Sequence, residues 1–125
     1  PKDIACFSEG ATDWHSRSAN FSGAGQTVNG SLFAYHGNWN APGRWSVEML
    51  TNAHRLILRP MEKLQIQKLG SVAIEEYVID DELDLKYKPG LYKQLETFLS
   101  ANKGGLCSIQ EHLKNCQVYT QMANY

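Results

Sequence analysis

The sequence predicts an α+β fold: an open, mostly antiparallel meander of about six strands followed by two helices packed on one face. Three observations predict it. The first two thirds of the 125 residues carry short runs rich in β-branched and aromatic types, separated by Gly, Pro and Asn turn signals. The last third changes to helical spacing, with a proline opening one stripe and a Ser-x-x-Glu cap opening the other. The connections between strands are too short for the crossover that parallel neighbours require, so successive strands run antiparallel.

Taken in order, "KDIACF" alternates like a strand, and strand-like runs then cover residues 16–25, 31–39, 45–51, 55–60, 63–69 and 72–79. Turns are marked by Asn29-Gly30, Ala41-Pro42-Gly43, Asn52-Ala53 and Gly70-Ser71. The glycine-rich "SGAGQTVNG" at residues 22–30 invites comparison with a phosphate-binding loop. Such a loop needs G-x-G-x-x-G between a buried strand and a helix, so that backbone amides face the pyrophosphate. Here Val28 stands where the third glycine belongs, and no helical pattern follows. Asn29-Gly30 between strand-like runs is instead a hairpin signal, with both turn positions expected at positive φ.

Alternation assigns the faces. Phe33, Tyr35, Gly37 and Trp39 share one side, and Leu32, Ala34, His36 and Asn38 the other. Further on, Trp45, Val47 and Met49 oppose Ser46, Glu48 and Leu50, while Leu56 and Leu58 oppose Arg55 and Arg59. One face is greasy and the other mixed. The stretch "IDDELDLKYKPG" reads as an acidic, ordered connection. In "KPGLYKQLETFLSANKGG", Leu91, Leu95, Phe98 and Leu99 form one helical stripe, with Pro89 at the first turn and Gly104-Gly105 past the end. In "SIQEHLKNCQVYTQM", Ser108 and Glu111 form a capping box, and Ile109, Leu113, Cys116 and Thr120 are the expected inward residues, with Tyr119 and Met122 alongside. The chain is expected to be a single domain, with the sheet in residues 1–80 and the helices in residues 81–125. That length should bury about two thirds of the surface the unfolded chain exposes.

Composition excludes several classes of function. With 42% hydrophobic and 20% charged residues the chain is globular rather than disordered. A net charge of -1 with no run of Lys or Arg gives no electrostatic footprint for nucleic acid or an anionic membrane. No apolar run is long enough to cross a bilayer, and the opening lacks the layout of a signal peptide. Cys6, Cys107 and Cys116 form neither a CxxC pair nor an even disulfide set, which fits free thiols in the cytoplasm. Cys107, His112 and Cys116 supply three possible ligands at poor spacing, so no metal is expected. The start at Pro1, without an initiator Met, reads as a processed chain or a piece of a longer protein.

Candidate chemistry concentrates in two places. "YHGNWNAPGRWSVEMLT" gathers aromatic rings with amide and guanidinium donors around a Pro-Gly bend, the mixture that a sugar or an acid group binds against. "DWHSRS" adds an imidazole and a second guanidinium. The candidate substrate contacts are therefore His15, Arg17, Trp39, Asn40, Arg44 and Trp45. The structural alternative makes Trp39 and Trp45 a cross-strand pair flanking a hairpin, with Arg44 solvated at its turn. No catalytic residue is assigned: there is no G-x-S-x-G elbow, and nothing in the sequence fixes Glu48 and Glu62 as an acid–base pair.

Three stretches, "NWNAPGRWSVEMLTNAHRLILRPMEKLQIQKLG", "YKPGLYKQLETFLS" and "LCSIQEHLKNCQVY", give the chain a family likeness. Their order and spacing resemble the C-terminal domain of the Gfo/Idh/MocA family of NAD(P)-dependent oxidoreductases. The resemblance covers nearly the whole chain. It implies a parent enzyme that transfers a hydride between NAD or NADP and a sugar, sugar acid or polyol, its cofactor bound by a Rossmann domain outside these residues. This chain would contribute a wall of the substrate pocket and a homo-oligomer interface through the open sheet face, with Arg55 and Arg59 on that face, and would be inactive alone. The family's catalytic lysine lies in an E-K-P motif, whereas Glu62-Lys63 is followed by Leu64 within a strand run, so that role is not carried over to Lys63. The competing reading is a free-standing, non-catalytic module that binds a small ligand or a protein partner.

Overall fold

The computed structural model describes residues 1–100 and 104–124. Its elements are β1 (Asp3–Glu9), β2 (Asn20–Gln26), β3 (Leu32–Asn38), β4 (Val47–Leu50), β5 (His54–Leu58), β6 (Leu64–Lys68), β7 (Ile74–Tyr77), α1 (Glu82–Lys86), α2 (Leu91–Leu99) and α3 (Ile109–Ala123). The chain divides into two compact units, one formed by Pro1–Pro42 with Cys107–Tyr125 and the other by Gly43–Leu106. The fold is α+β, every strand pairing is antiparallel, and the helices come last. The seven strands lie in two sheets, of order β1-β2-β3 and β4-β5-β6-β7.

In the first unit, β2 is the central strand, and its glycines explain why it can be. Gly23 is paired with Tyr35 and Gly25 with Phe33, while Gly37 of β3 is paired with Phe21. A Cβ on Gly23 would lie 2.5 Å from the Tyr35 ring, and one on Gly37 would lie 2.6 Å from the Phe21 ring. Aromatic rings lie across bare backbone, so "SGAGQ" is a strand shaped for its neighbours. The following turn is a hairpin, as expected, but of a different type. Gly30 N donates to Thr27 O at 3.0 Å, Thr27 N donates to Ser31 O at 2.8 Å, and only Gly30 is left-handed, at φ 87°. This is a three-residue loop with a left-handed glycine at its end.

The helix α3 packs against β1 and β2 of the same unit. It covers the face that carries Cys6, Phe33 and Tyr35, and Tyr35 Oη donates to Met122 O at 3.4 Å. Its Ser108–Glu111 capping box is present. The inward set differs from the expected one. Cys116, Val118 and Met122 are half-buried, whereas Ile109, Leu113, Tyr119 and Thr120 are exposed. The helix is shielded along its C-terminal half, and the first turns of its apolar stripe stay bare.

In the second unit, register places Val47, Leu58, Leu64 and Tyr77 in one row and Met49, Leu56, Ile66 and Glu75 in another row of the same face, apolar except at Glu75. The opposite face carries Glu48, Ile57, Gln65 and Glu76, flanked by Leu50, Arg55, Gln67 and Ile74. The expected alternation is therefore present. On the mixed face, Arg55 Nε donates to Glu48 Oε2 at 2.9 Å. The "IDDELDLKYKPG" connection contains α1, whose first-turn neighbour Asp81 accepts from Lys63 Nζ at 3.3 Å. Among the described residues α1 and α2 pack on each other, with Tyr87 stacked on Tyr92 at 5.1 Å, and neither packs on the four strands. The α2 stripe of Leu91, Leu95, Phe98 and Leu99 is exposed rather than laid over the greasy face.

These bare stripes show in the total surface. The chain exposes 10216 Å², about half of the roughly 20,400 Å² expected for its unfolded form. Two separate units of about 60 residues would bury about 60%. The shortfall is apolar: Ala19 and Ile57 are the buried hydrophobic residues among those described.

Candidate functional site

The most ordered chemistry lies at one end of the three-stranded sheet. The loop between β1 and β2 is closed on itself: Thr12 N donates to His15 O at 2.9 Å, His15 N donates to Thr12 O at 3.2 Å, and Ala19 N donates to Glu9 O at 2.9 Å. His15 is only 6% exposed, and its Nδ1 accepts from Arg17 N at 3.3 Å. Ser18, fully buried, donates through Oγ to Asn20 O at 3.0 Å and holds the entry into β2. Polar residues thus fix a loop that has little apolar material of its own.

The loop delivers Trp14 to the end of β3. Trp14 and Trp39 meet edge to face at 5.1 Å and 85°, Phe21 lies 6.5 Å from Trp39, and His15 lies 5.8 Å from Trp14. Trp14 and Trp39 remain 60% and 50% exposed. Two large rings standing half in water, fixed by edge contacts, form a ledge suited to the apolar face of a ring-shaped ligand. Trp14 is absent from the expected set, because nothing local in the sequence ties it to Trp39, 25 positions away.

A broad open groove of about 390 Å³ runs along the same sheet end. Its lining is two cross-strand rows, Phe7–Ser22–His36 and Glu9–Asn20–Asn38, with Ser8, Phe21 and Gly37 between them. These rows belong to the face that α3 leaves open. They offer a carboxylate, an imidazole, two amides and one phenyl ring, a mixed donor and acceptor set that can bond hydroxyl-bearing ligands. Ser22 Oγ is occupied by Tyr35 O at 3.2 Å, and Asn38 Oδ1 accepts from Asn40 N at 2.8 Å.

The expected contacts divide between the units. His15, Arg17, Trp39 and Asn40 lie in the first, where His15 and Trp39 both touch Trp14, and Arg17 and Asn40 are exposed. Arg44 and Trp45 lie in the second, exposed ahead of β4. β3 and β4 sit in different sheets, so the hairpin that would have paired Trp39 with Trp45 is not formed. The neighbours of Trp39 are Trp14 and Phe21 instead.

Among the described residues, two groups are electrostatically perturbed. Burial, aided by a hydrogen bond with the Cys6 thiol, pushes the Tyr35 phenol up to about 12. The backbone and hydroxyl of Ser108 hold the Glu111 carboxyl below the usual glutamate range. All three cysteines are free. Cys116 Sγ lies 3.6 Å from His112 Nε2, one turn apart on α3, and no cluster of three metal-ligating side chains occurs among the described residues. Among the described residues no helix is long and apolar enough to cross a membrane. In "SGAGQTVNG", Gly23 and Gly25 are paired within the sheet with the Tyr35 and Phe33 rings against them, and Gly30 closes the hairpin turn.

Comparison with protein-family models, with curated protein sequences and with solved structures gives no match.

Proposed function

We propose that this chain is the substrate-side and assembly portion of an NAD(P)-dependent oxidoreductase of the Gfo/Idh/MocA type, acting in the cytoplasm on a sugar, sugar acid or polyol. The observation that carries the proposal is the sequence resemblance, laid along consecutive elements. "NWNAPGRWSVEML" leads from the end of β3 into β4, "LILRPMEKLQIQK" runs through β5 and β6, and "LYKQLETFL" is α2. Hydride transfer belongs to the whole enzyme, with NAD or NADP held by a Rossmann domain beyond these residues. This chain supplies a pocket wall, for which His15, Arg17, Trp39 and Asn40 of the first unit remain the proposed contacts, joined by Trp14 as the partner of Trp39; Arg44 and Trp45 remain proposed contacts of the second unit by itself.

The apolar rows of β4–β6, with Val47 and Met49 exposed and Leu56, Leu58 and Ile66 half-buried, support the assembly role, because a partly exposed apolar face marks an interaction surface. They move the proposed homo-oligomer interface to the Val47, Met49, Leu56, Leu58 and Ile66 face. Arg55 lies on the other face and is bound to Glu48.

The test is enzymatic. The 125 residues alone are expected to give no sugar-dependent reduction of NAD or NADP. The polypeptide that joins them to a Rossmann region is expected to give it, with Trp39→Ala raising KM while the fold is kept. Turnover by the isolated chain, or an unchanged KM in Trp39→Ala, contradicts the proposal. A gene that encodes no cofactor domain leaves the non-catalytic binding module as the reading.

A further inference from the structure

The Asn29-Gly30 turn carries a chemistry that the proposed function does not use. Asn29 is exposed at the tip of the β2–β3 hairpin, and the residue after it has no side chain to shield its amide nitrogen. Each other asparagine among the described residues precedes a residue with a Cβ. A backbone nitrogen next to an asparagine can attack the side-chain amide, and glycine is the successor that hinders the attack least.

The turn also restrains that attack. Gly30 N, the attacking atom, is engaged in a bond to Thr27 O at 3.0 Å. Ser31 N donates to Thr27 Oγ1 at 3.1 Å, and Gln26 Nε2 donates to Gly30 O at 3.0 Å. The loop must loosen before Gly30 N can lose its proton and turn toward Asn29 Cγ.

We propose that Asn29 is a site of spontaneous deamidation whose rate is gated by opening of the Thr27–Gly30 turn. Gly30 N forms a bond to Asn29 Cγ, the Cγ–Nδ2 bond breaks, and ammonia leaves with the proton that Gly30 N gave up. Water then opens the five-membered imide at either carbonyl, leaving an aspartate or an isoaspartate. No oxidant, metal or enzyme is required. The isoaspartate product inserts a methylene into the main chain of a three-residue loop, directly before the register that sets Phe33 across Gly25. The modification therefore adds a negative charge at the tip and slackens the hairpin beneath α3. It is independent of the oxidoreductase reading.

The experiment incubates the intact chain at mildly alkaline pH, folded and in urea, and follows the peptide spanning residues 18–44 by mass spectrometry with fragmentation. The expected result is a mass gain of about 1 Da, NH₂ replaced by OH, localised to residue 29. Two isomeric products form, faster in urea than in the folded chain, and Asn29→Gln gives none. Thr27→Ala, which removes the bond from Ser31 N, is expected to speed conversion about fivefold, the change in open population that one hydrogen bond gives. Gln26→Met, which removes only the exposed bond to Gly30 O, is expected to act in the same direction. No conversion at residue 29 in urea overturns the site. Equal rates in the folded and unfolded chains, or rates unchanged in both variants, overturn the gating.

Discussion

Gly23 shows how much of the first unit rests on single residues. It is buried in the central strand with the Tyr35 ring over it, and Gly23→Ala would drive a Cβ against that ring and the Ala5 carbonyl. The expected cost is about 1–3 kcal/mol, as for other overpacked sites, read as a lower urea midpoint at unchanged slope. Tyr35 makes a second prediction. Its folded-state pKa of about 12 lies above the ordinary 10.0. The unfolded chain therefore releases this proton first as the pH rises. Stability that is complete below pH 10 should fall between pH 10 and 12. Tyr35→Phe should flatten that slope, measured by urea unfolding across the alkaline range. Neither effect is readable from sequence, because each depends on a partner twelve or more positions away.

At the scale of elements, α3 depends on its first turn. Ser108 Oγ accepts from Glu111 N at 3.2 Å, and Ser108 N donates to Glu111 Oε2 at 2.8 Å. Ser108→Ala is expected to cost about 1 kcal/mol, seen as a loss of helical ellipticity at lower denaturant. Acidification through the lowered pKa of Glu111 should weaken the same cap, because the proton is bound more readily by the unfolded chain. Both capping residues were legible in the sequence, as were the hairpin at Asn29-Gly30 and the alternation that puts Met49, Leu56 and Ile66 on one face. Each of these is a local rule acting over a few residues. The five-residue α1 was not legible, since one turn has no periodicity to read. The partition into two sheets was not legible either. Identical alternation serves one meander or two, and the Pro-Gly bend before Arg44 reads equally as a hairpin or as a crossing between sheets. The run expected over residues 16–25 is shorter in the structure, because Ser18 and Ala19 are buried by loop closure and the strand starts at Asn20. At the candidate site, Trp39 was legible as an exposed ring near polar donors, while Trp14 and the Glu9–Asn20–Asn38 row needed the register of the folded sheet.

For the molecule as a whole, the decisive quantity is apolar surface left in water. Val47, Met49 and Tyr77 at the margins of the second sheet and Leu91, Leu95 and Phe98 of α2 are 41–59% exposed, while Leu56, Leu58, Leu64 and Ile66 between them on the sheet are half-buried. At about 25 cal/mol per Å², faces of this kind favour association, as the proposed homo-oligomer interface requires. The most direct test is sedimentation velocity on the 125-residue chain. The account predicts a mass above that of the monomer at micromolar concentration, and Met49→Glu, on the bare face, should return the chain to a monomer with its circular dichroism unchanged. A wild-type chain that sediments as a monomer at every concentration contradicts it.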